Sequence, residues 1–153
     1  MTMDGLPTIS FEIDLRGRSL GVVPWPTAHT GTDLSVAVGD ILFAGDLVFA
    51  DHAPALDGSV TGWQSVLTDL TALPVGRVVP GHGCCVLDWP EGARDLSRYL
   101  GVLADDTRQA IGRGLSLGDA MPLIAQGEAP LWALFDAYNP RNATVAYTEL
   151  EWE

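Results

Sequence analysis

Ile41-Leu42-Phe43-Ala44-Gly45-Asp46-Leu47-Val48-Phe49 is an apolar stretch interrupted by one glycine and one carboxylate. Its first four residues favour a strand, and Leu34–Val38 before it is a second apolar run across Gly39-Asp40, a short turn. The pair predicts a β-hairpin. Upstream, Thr8 to Leu15 alternates polar and apolar with period two, as a half-buried strand does. Arg16-Gly17-Arg18 is a turn, and Ser19–Val23 is the expected hairpin partner. Downstream, Val60, Trp63, Val66, Leu67, Leu70 and Leu73 recur at helical spacing, with Asp57, Ser59 and Thr61 as N-cap candidates and Pro74 as a stop. Arg77–Val79 is a short buried strand running into Pro80-Gly81.

After residue 88 the pattern becomes helical. Asp88 with Glu91 resembles a capping box, with Pro90 in a first turn. Leu96, Leu100, Leu103 and Ala110 mark one apolar face, and Gly112 and Gly114 close the helix. Ser116 with Asp119 opens a shorter helix, Leu117 to about Ala125. Asn139-Pro140 is read as a cap plus a proline at N1, followed by Ala143, Ala146, Tyr147 and Leu150 at helical spacing. Strands first, then helices, predict an α+β fold: a mixed sheet covered by helices, with a helical C-terminal third.

The 153 residues suit a single domain, 1–153, and 47% hydrophobic residues supply a core. The formal net charge of −12 opposes binding to nucleic-acid phosphates or anionic lipid. No apolar run is long enough for a membrane span. The first residues show no basic region followed by an apolar stretch, so no signal peptide is expected. The cysteines, Cys84 and Cys85, are adjacent and form no CxxC pattern; small buried residues are the expectation for them. The tryptophans are expected in the core, and the acidic excess, Glu149 included, on a solvated face.

Three histidines carry the chemistry worth weighing. His29 lies in the turn-rich Pro26-Thr27-Ala28-His29-Thr30-Gly31-Thr32-Asp33 before a strand. His82 lies in Val78-Val79-Pro80-Gly81-His82-Gly83, between glycines at a strand end, where backbone and a bound group approach closely. Asp46, alone in its apolar stretch, calls for a cation or several hydrogen bonds. Taken singly each is ordinary: a loop histidine is mostly a polar surface residue, and Gly-Asp after a strand is mostly a turn. Together two imidazoles and a carboxylate form a coherent donor set for zinc or a similar ion. His52, in the loop after Asp46, is a candidate for the substrate rim. Asp33 is a candidate acceptor behind a ligand histidine, or a turn residue.

The ordered set AHTGTD, FAGDLVF, DGSVTGW and VVPGHG resembles the C-terminal half of a metallo-β-lactamase-fold hydrolase. The stretches RYLGVLADDTRQAIGRG and APLWALFDAYNPRNATVAYTELEWE add similarity to the zinc metallohydrolases of quinoprotein (PQQ) relay systems, over about Pro7 to Glu153. The resemblance implies half of an αβ/βα sandwich. It implies His29 as a ligand of the first metal site, Asp46 as the bridge between two metals, and His82 as a ligand of the second. It implies zinc-activated water attacking an ester, thioester or amide of a small-molecule substrate. The family's HxHxDH motif is not in this sequence, so the chain is expected to represent the half without it. The expected consequence is an exposed apolar sheet face, hence self-association or pairing with an N-terminal half. The alternatives are a non-catalytic remnant or subunit that needs a partner, and a mononuclear site formed by symmetric pairing. The compartment is the cytoplasm by default, or the periplasm if an N-terminal signal has been lost.

Overall fold

A computed structural model describes residues 11–153. Of the first expected strand, residues 8–10 lie outside the described part. The remainder is β1 (Phe11–Asp14), paired antiparallel with β2 (Ser19–Trp25); as an edge strand it is exposed along its whole length, Phe11 and Ile13 included, rather than half-buried. Next come β3 (Asp33–Val38) and β4 (Ile41–Phe49), the expected hairpin. Helix α1 (Val60–Thr71) crosses over to β5 (Arg77–His82), which runs parallel to β4, and β6 (Leu87–Asp88) closes the edge. The six strands lie in sequence order in one mixed sheet. The helices α2 (Arg94–Gly112), α3 (Leu117–Ala120) and α4 (Phe135–Leu150) follow.

The sheet has two unlike faces. Val23, Trp25, Ala37, Leu42, Ala44 and Val78 point into the core. There they meet the apolar faces of the helices, including Trp63, Leu67 and Leu70 of α1 and Leu96, Leu100 and Leu103 of α2. Burying each such leucine contributes roughly 1.5–3 kcal/mol. Among the described residues the opposite face is largely open. Cross-strand pairing lines up Phe11, Val22, Val36, Phe43 and Val79 in one row across five strands. Phe11 is 62% exposed and Phe43, at the centre of the sheet, 45%.

Several local expectations are corrected. Strand β4 runs on past Ala44 to Phe49, because a register shift at Gly45 (φ +54°) lets the chain continue past the break in alternation. No capping box forms at Asp88 and Glu91: Leu87–Asp88 pairs with β5, the Trp89–Pro90 bond is cis, and a 3-10 turn, Glu91–Ala93, leads into α2. Helix α3 stops at Ala120. Helix α4 starts at Phe135, so Pro140 is inside it, and Asn139 is no cap. The Asn139 side chain is buried instead, accepting from the Tyr99 hydroxyl (2.9 Å) and donating to the Ile124 carbonyl (2.9 Å). Trp152 is exposed rather than in the core, and both cysteines are exposed rather than buried. Glu149 is not part of a solvated acidic face. It receives the Val60 amide at 2.7 Å and the Ser59 hydroxyl at 2.8 Å, so a carboxylate from α4 caps α1 at its N-terminus, where a negative charge is favoured. Ser59 is the N-cap, accepting from the Gly62 amide at 2.8 Å.

Candidate metal centre

The break in β4 builds the site. Up to Ala44 the strand alternates in and out of the core; then Gly45 and Asp46 are exposed in succession before Leu47 is buried again. The bulge brings the Asp46 carboxylate out at the end of the sheet, beside the end of β5. Pro80 sits opposite Gly45, where the irregular pairing tolerates a residue without an amide hydrogen. Gly81 has no room for a side chain: a Cβ there would lie 2.4 Å from Asp46 Oδ1 and 2.6 Å from the Gly45 carbonyl oxygen. Gly83, at φ +97°, likewise lies against the Ala50 carbonyl. The two glycines flanking His82 thus allow the close approach of β4 and β5 that sets His82 next to Asp46.

His29, Asp46 and His82 come together. His29 Nε2 is 3.5 Å from one Asp46 oxygen, and His82 Nε2 is 3.2 Å from the other. Asp46 therefore stands between the imidazoles with one oxygen toward each. Phe49 fills the space behind them, stacked on His82 (centroids 4.6 Å) and tilted against His29 (5.6 Å). Trp63 meets His29 edge-on at 5.3 Å and is itself fixed by donating from Nε1 to the Leu47 carbonyl at 3.0 Å.

His29 is buried and has a defined partner. Its Nδ1 lies 2.6 Å from the Ala55 carbonyl oxygen, which only accepts, so Nδ1 carries the hydrogen. In the neutral ring Nε2 then presents a lone pair to a carboxylate oxygen, an acceptor facing an acceptor. A cation between them resolves that repulsion. Two ligands each about 2.0–2.1 Å from a tetrahedral zinc stand roughly 3.3 Å apart, between the two separations found here. On chemistry and on spacing, the donors fit a divalent metal. Among the described residues no group of three His, Cys, Asp or Glu side chains is placed to hold one ion. Each side of Asp46 offers one imidazole and one carboxylate oxygen.

The other candidates occupy the surroundings. The His52 ring is 6.1 Å from that of His82, and its amide donates to the Ala50 carbonyl at 2.7 Å. Asp33 accepts from the Thr30 amide and hydroxyl, both at 2.9 Å, and so shapes the His29 loop; the hydrogen-bond partner of the His29 imidazole is Ala55. The Cys84 amide donates to Asp51 at 3.1 Å. Hydrogen bonding to Cys85, then the charge of that neighbour and of Asp51, push the Cys84 thiol up to about 11, which keeps it protonated at neutral pH.

Loop 50–58 joins these parts. The Ala50 amide donates to the His82 carbonyl (2.9 Å), the Asp57 amide to the His29 carbonyl (2.9 Å), and Ala55 holds the His29 ring. Gly58 passes the Ala28 carbonyl where a Cβ would lie 2.3 Å away. The C-terminal segment braces the loop in turn. The Ala53 amide donates to Ala133 and the Ala133 amide to Asp51, Asn142 bonds to both Pro54 and Leu56, and Arg141 pairs with Asp57. Phe49 and Asn142 were not legible as site residues. Phe49 reads as core, and Asn142 has no local pattern, since its loop partners lie 86 and 88 residues away.

The Metallo-beta-lactamase superfamily matches residues 4–82, about half of the sequence, and the chain belongs to it. Among solved structures it is similar to the stereoselective inverting sec-alkylsulfatase Pisa1 from Pseudomonas sp., at 11% identity and a TM-score of 0.67. That similarity covers 95% of this chain and 26% of the sulfatase chain, so this chain spans about a quarter of that structure's length. At this identity the likeness is one of fold. No curated protein matches.

Proposed function

We propose that this chain carries part of a zinc-dependent hydrolase centre, in which His29 and Asp46 hold metal on one side and His82 and Asp46 on the other. The single observation that carries this reading is the Asp46 carboxylate, with each oxygen facing a different imidazole Nε2. When bound, such metal lowers the pKa of a water so that it can attack an ester, thioester or amide near neutral pH. The protein's own part is to orient. Ala55 fixes the His29 tautomer, Phe49 spaces the two rings, and the β4 bulge aims Asp46 between them. The His52 ring, close to that of His82, would meet a small-molecule substrate at the rim. The similarity of the C-terminal segment to quinoprotein relay-system metallohydrolases suggests the branch of the superfamily.

A catalytic zinc normally has three protein ligands and a water. Two donors per side favour completion by further residues packed on the open sheet face, from an N-terminal half or a second copy; residues 1–153 are then one partial domain. This is also what supports the second reading, a subunit without catalysis of its own. No helix among the described residues is long and apolar enough to cross a membrane.

Zinc per chain after dialysis, measured by elemental analysis, tests the metal. Near-stoichiometric zinc that falls in His82→Ala is expected. No retained zinc in the wild type, alone or with an added N-terminal half, would sink the enzyme reading. Light scattering tests self-association: a stable monomer at micromolar concentration would refute it.

A further inference from the structure

We propose that Asn142, on helix α4, is the positioning residue that sets the tautomer and aim of His29; the inference rests on reading His29 Nε2 as a metal donor. Asn142 is completely buried, and its amide group is used on both sides. Oδ1 accepts from the Leu56 amide at 2.9 Å, and Nδ2 donates to the Pro54 carbonyl at 2.7 Å and to the Tyr99 hydroxyl at 2.8 Å. The two backbone groups it grips flank Ala55, whose carbonyl oxygen meets His29 Nδ1 at 2.6 Å. Tyr99 holds the amide in turn, since its hydroxyl donates onward to Asn139. Short polar contacts thus run from the core of the helical region to the 54–56 backbone, and that backbone carries them on to the Ala55 carbonyl and the ring facing Asp46.

An amide suits this position. The position needs an acceptor for Leu56 and a donor for Pro54 at once, and an ionised aspartate supplies only the acceptor. Asn142→Asp would turn a carboxylate oxygen toward the Pro54 carbonyl and push the 54–56 backbone away. The Ala55 oxygen would move off His29, and the ring would be free to place its hydrogen on Nε2, where it cannot bind metal. Groups that orient a ligand histidine in this way are worth about 10–100-fold in metal affinity.

Asn139 supplies the control. It is buried in the same helix and bonds Tyr99, yet its other partner is the Ile124 carbonyl rather than loop 50–58. With histidine-labelled protein, the ¹⁵N shifts of the His29 ring report its tautomer without metal, and zinc titration reports affinity. Wild type is expected to show Nδ1–H. Asn142→Asp is expected to shift the ring toward Nε2–H and weaken zinc about 10–100-fold, while Asn139→Asp leaves the tautomer unchanged even if it lowers stability as much. Should Asn142→Asp not fold, Tyr99→Phe, which removes only a hydroxyl, is expected to move the His29 signal the same way by less. An unchanged His29 tautomer in a folded Asn142 variant, or in Tyr99→Phe where the Asn142 variant does not fold, overturns the proposal. A tautomer that responds in a protein that binds no zinc upholds the positioning role and removes the metal reading.

Discussion

His29 and His82 face the same carboxylate from opposite sides, and the fold treats them differently. The His29 side chain is 9% exposed, bonded to Ala55 and walled by Phe49 and Trp63. The His82 side chain is 48% exposed and rests on the face of Phe49. The His29 side is preformed by residues from across the chain, Asn142 among them. The His82 side is a strand end between two glycines, close to loop 50–58 and open to whatever completes it. Packing and hydrogen bonding are thus concentrated at one imidazole, and exposure at the other.

The largest effect is expected where the two sides meet. Asp46→Asn weakens the donor that both share, and all retained zinc should be lost, by elemental analysis, with little change in thermal stability because the carboxylate is half exposed. Next comes the packing that brings the sides together. Gly81→Ala forces a Cβ against Asp46 and the Gly45 carbonyl, and is expected to cost about 1–3 kcal/mol in urea unfolding and to displace the carboxylate. The histidines themselves sharpen the comparison. His29→Ala leaves a hole beside Trp63 and Phe49 and should cost roughly 2 kcal/mol. His82→Ala should stay within about 0.5 kcal/mol, although both should lower zinc retention. Equal stability losses would contradict the asymmetry.

The smallest effect concerns pH. Burial raises the Tyr99 hydroxyl above its ordinary value of 10.0. A raised value means that the stabilisation is complete below pH 10 and is lost as pH climbs from there through the folded-state value. Hydrogen exchange at the Leu56 amide, which Asn142 holds, should therefore accelerate above about pH 10 beyond the ordinary base-catalysed rise, and Tyr99→Phe should abolish that excess.

Part of this was legible in the sequence because it is local. The strand β1, though exposed along Phe11–Asp14 rather than half-buried, the Gly39-Asp40 turn and the α1 face from Val60 to Leu70 could be read from neighbouring residues, whereas His29, Asp46 and His82, each ordinary alone, stood out only as an ordered set. The illegible parts depend on distant partners. Asn139 looks like a cap beside Pro140, yet its side chain is taken by Tyr99 and Ile124. Glu149 looks like one more surface acid, yet it caps a helix that begins 89 residues earlier. The length of β4 was missed for a related reason: Gly45-Asp46 reads as a turn locally, and only pairing with β5 carries the strand through it.

On the proposed reading, Asp46 and the two Nε2 atoms together hold metal, with His29 ready beforehand. Zinc titration of wild-type protein, followed through the ¹⁵N resonances of its three histidine rings, tests it directly. The expected result is that His29 shows Nδ1–H before zinc is added, and that Nε2 of both His29 and His82 then shifts while the His29 Nδ1 hydrogen stays in place. Zinc that moves neither ring, or a His29 that begins with its hydrogen on Nε2, would contradict the account.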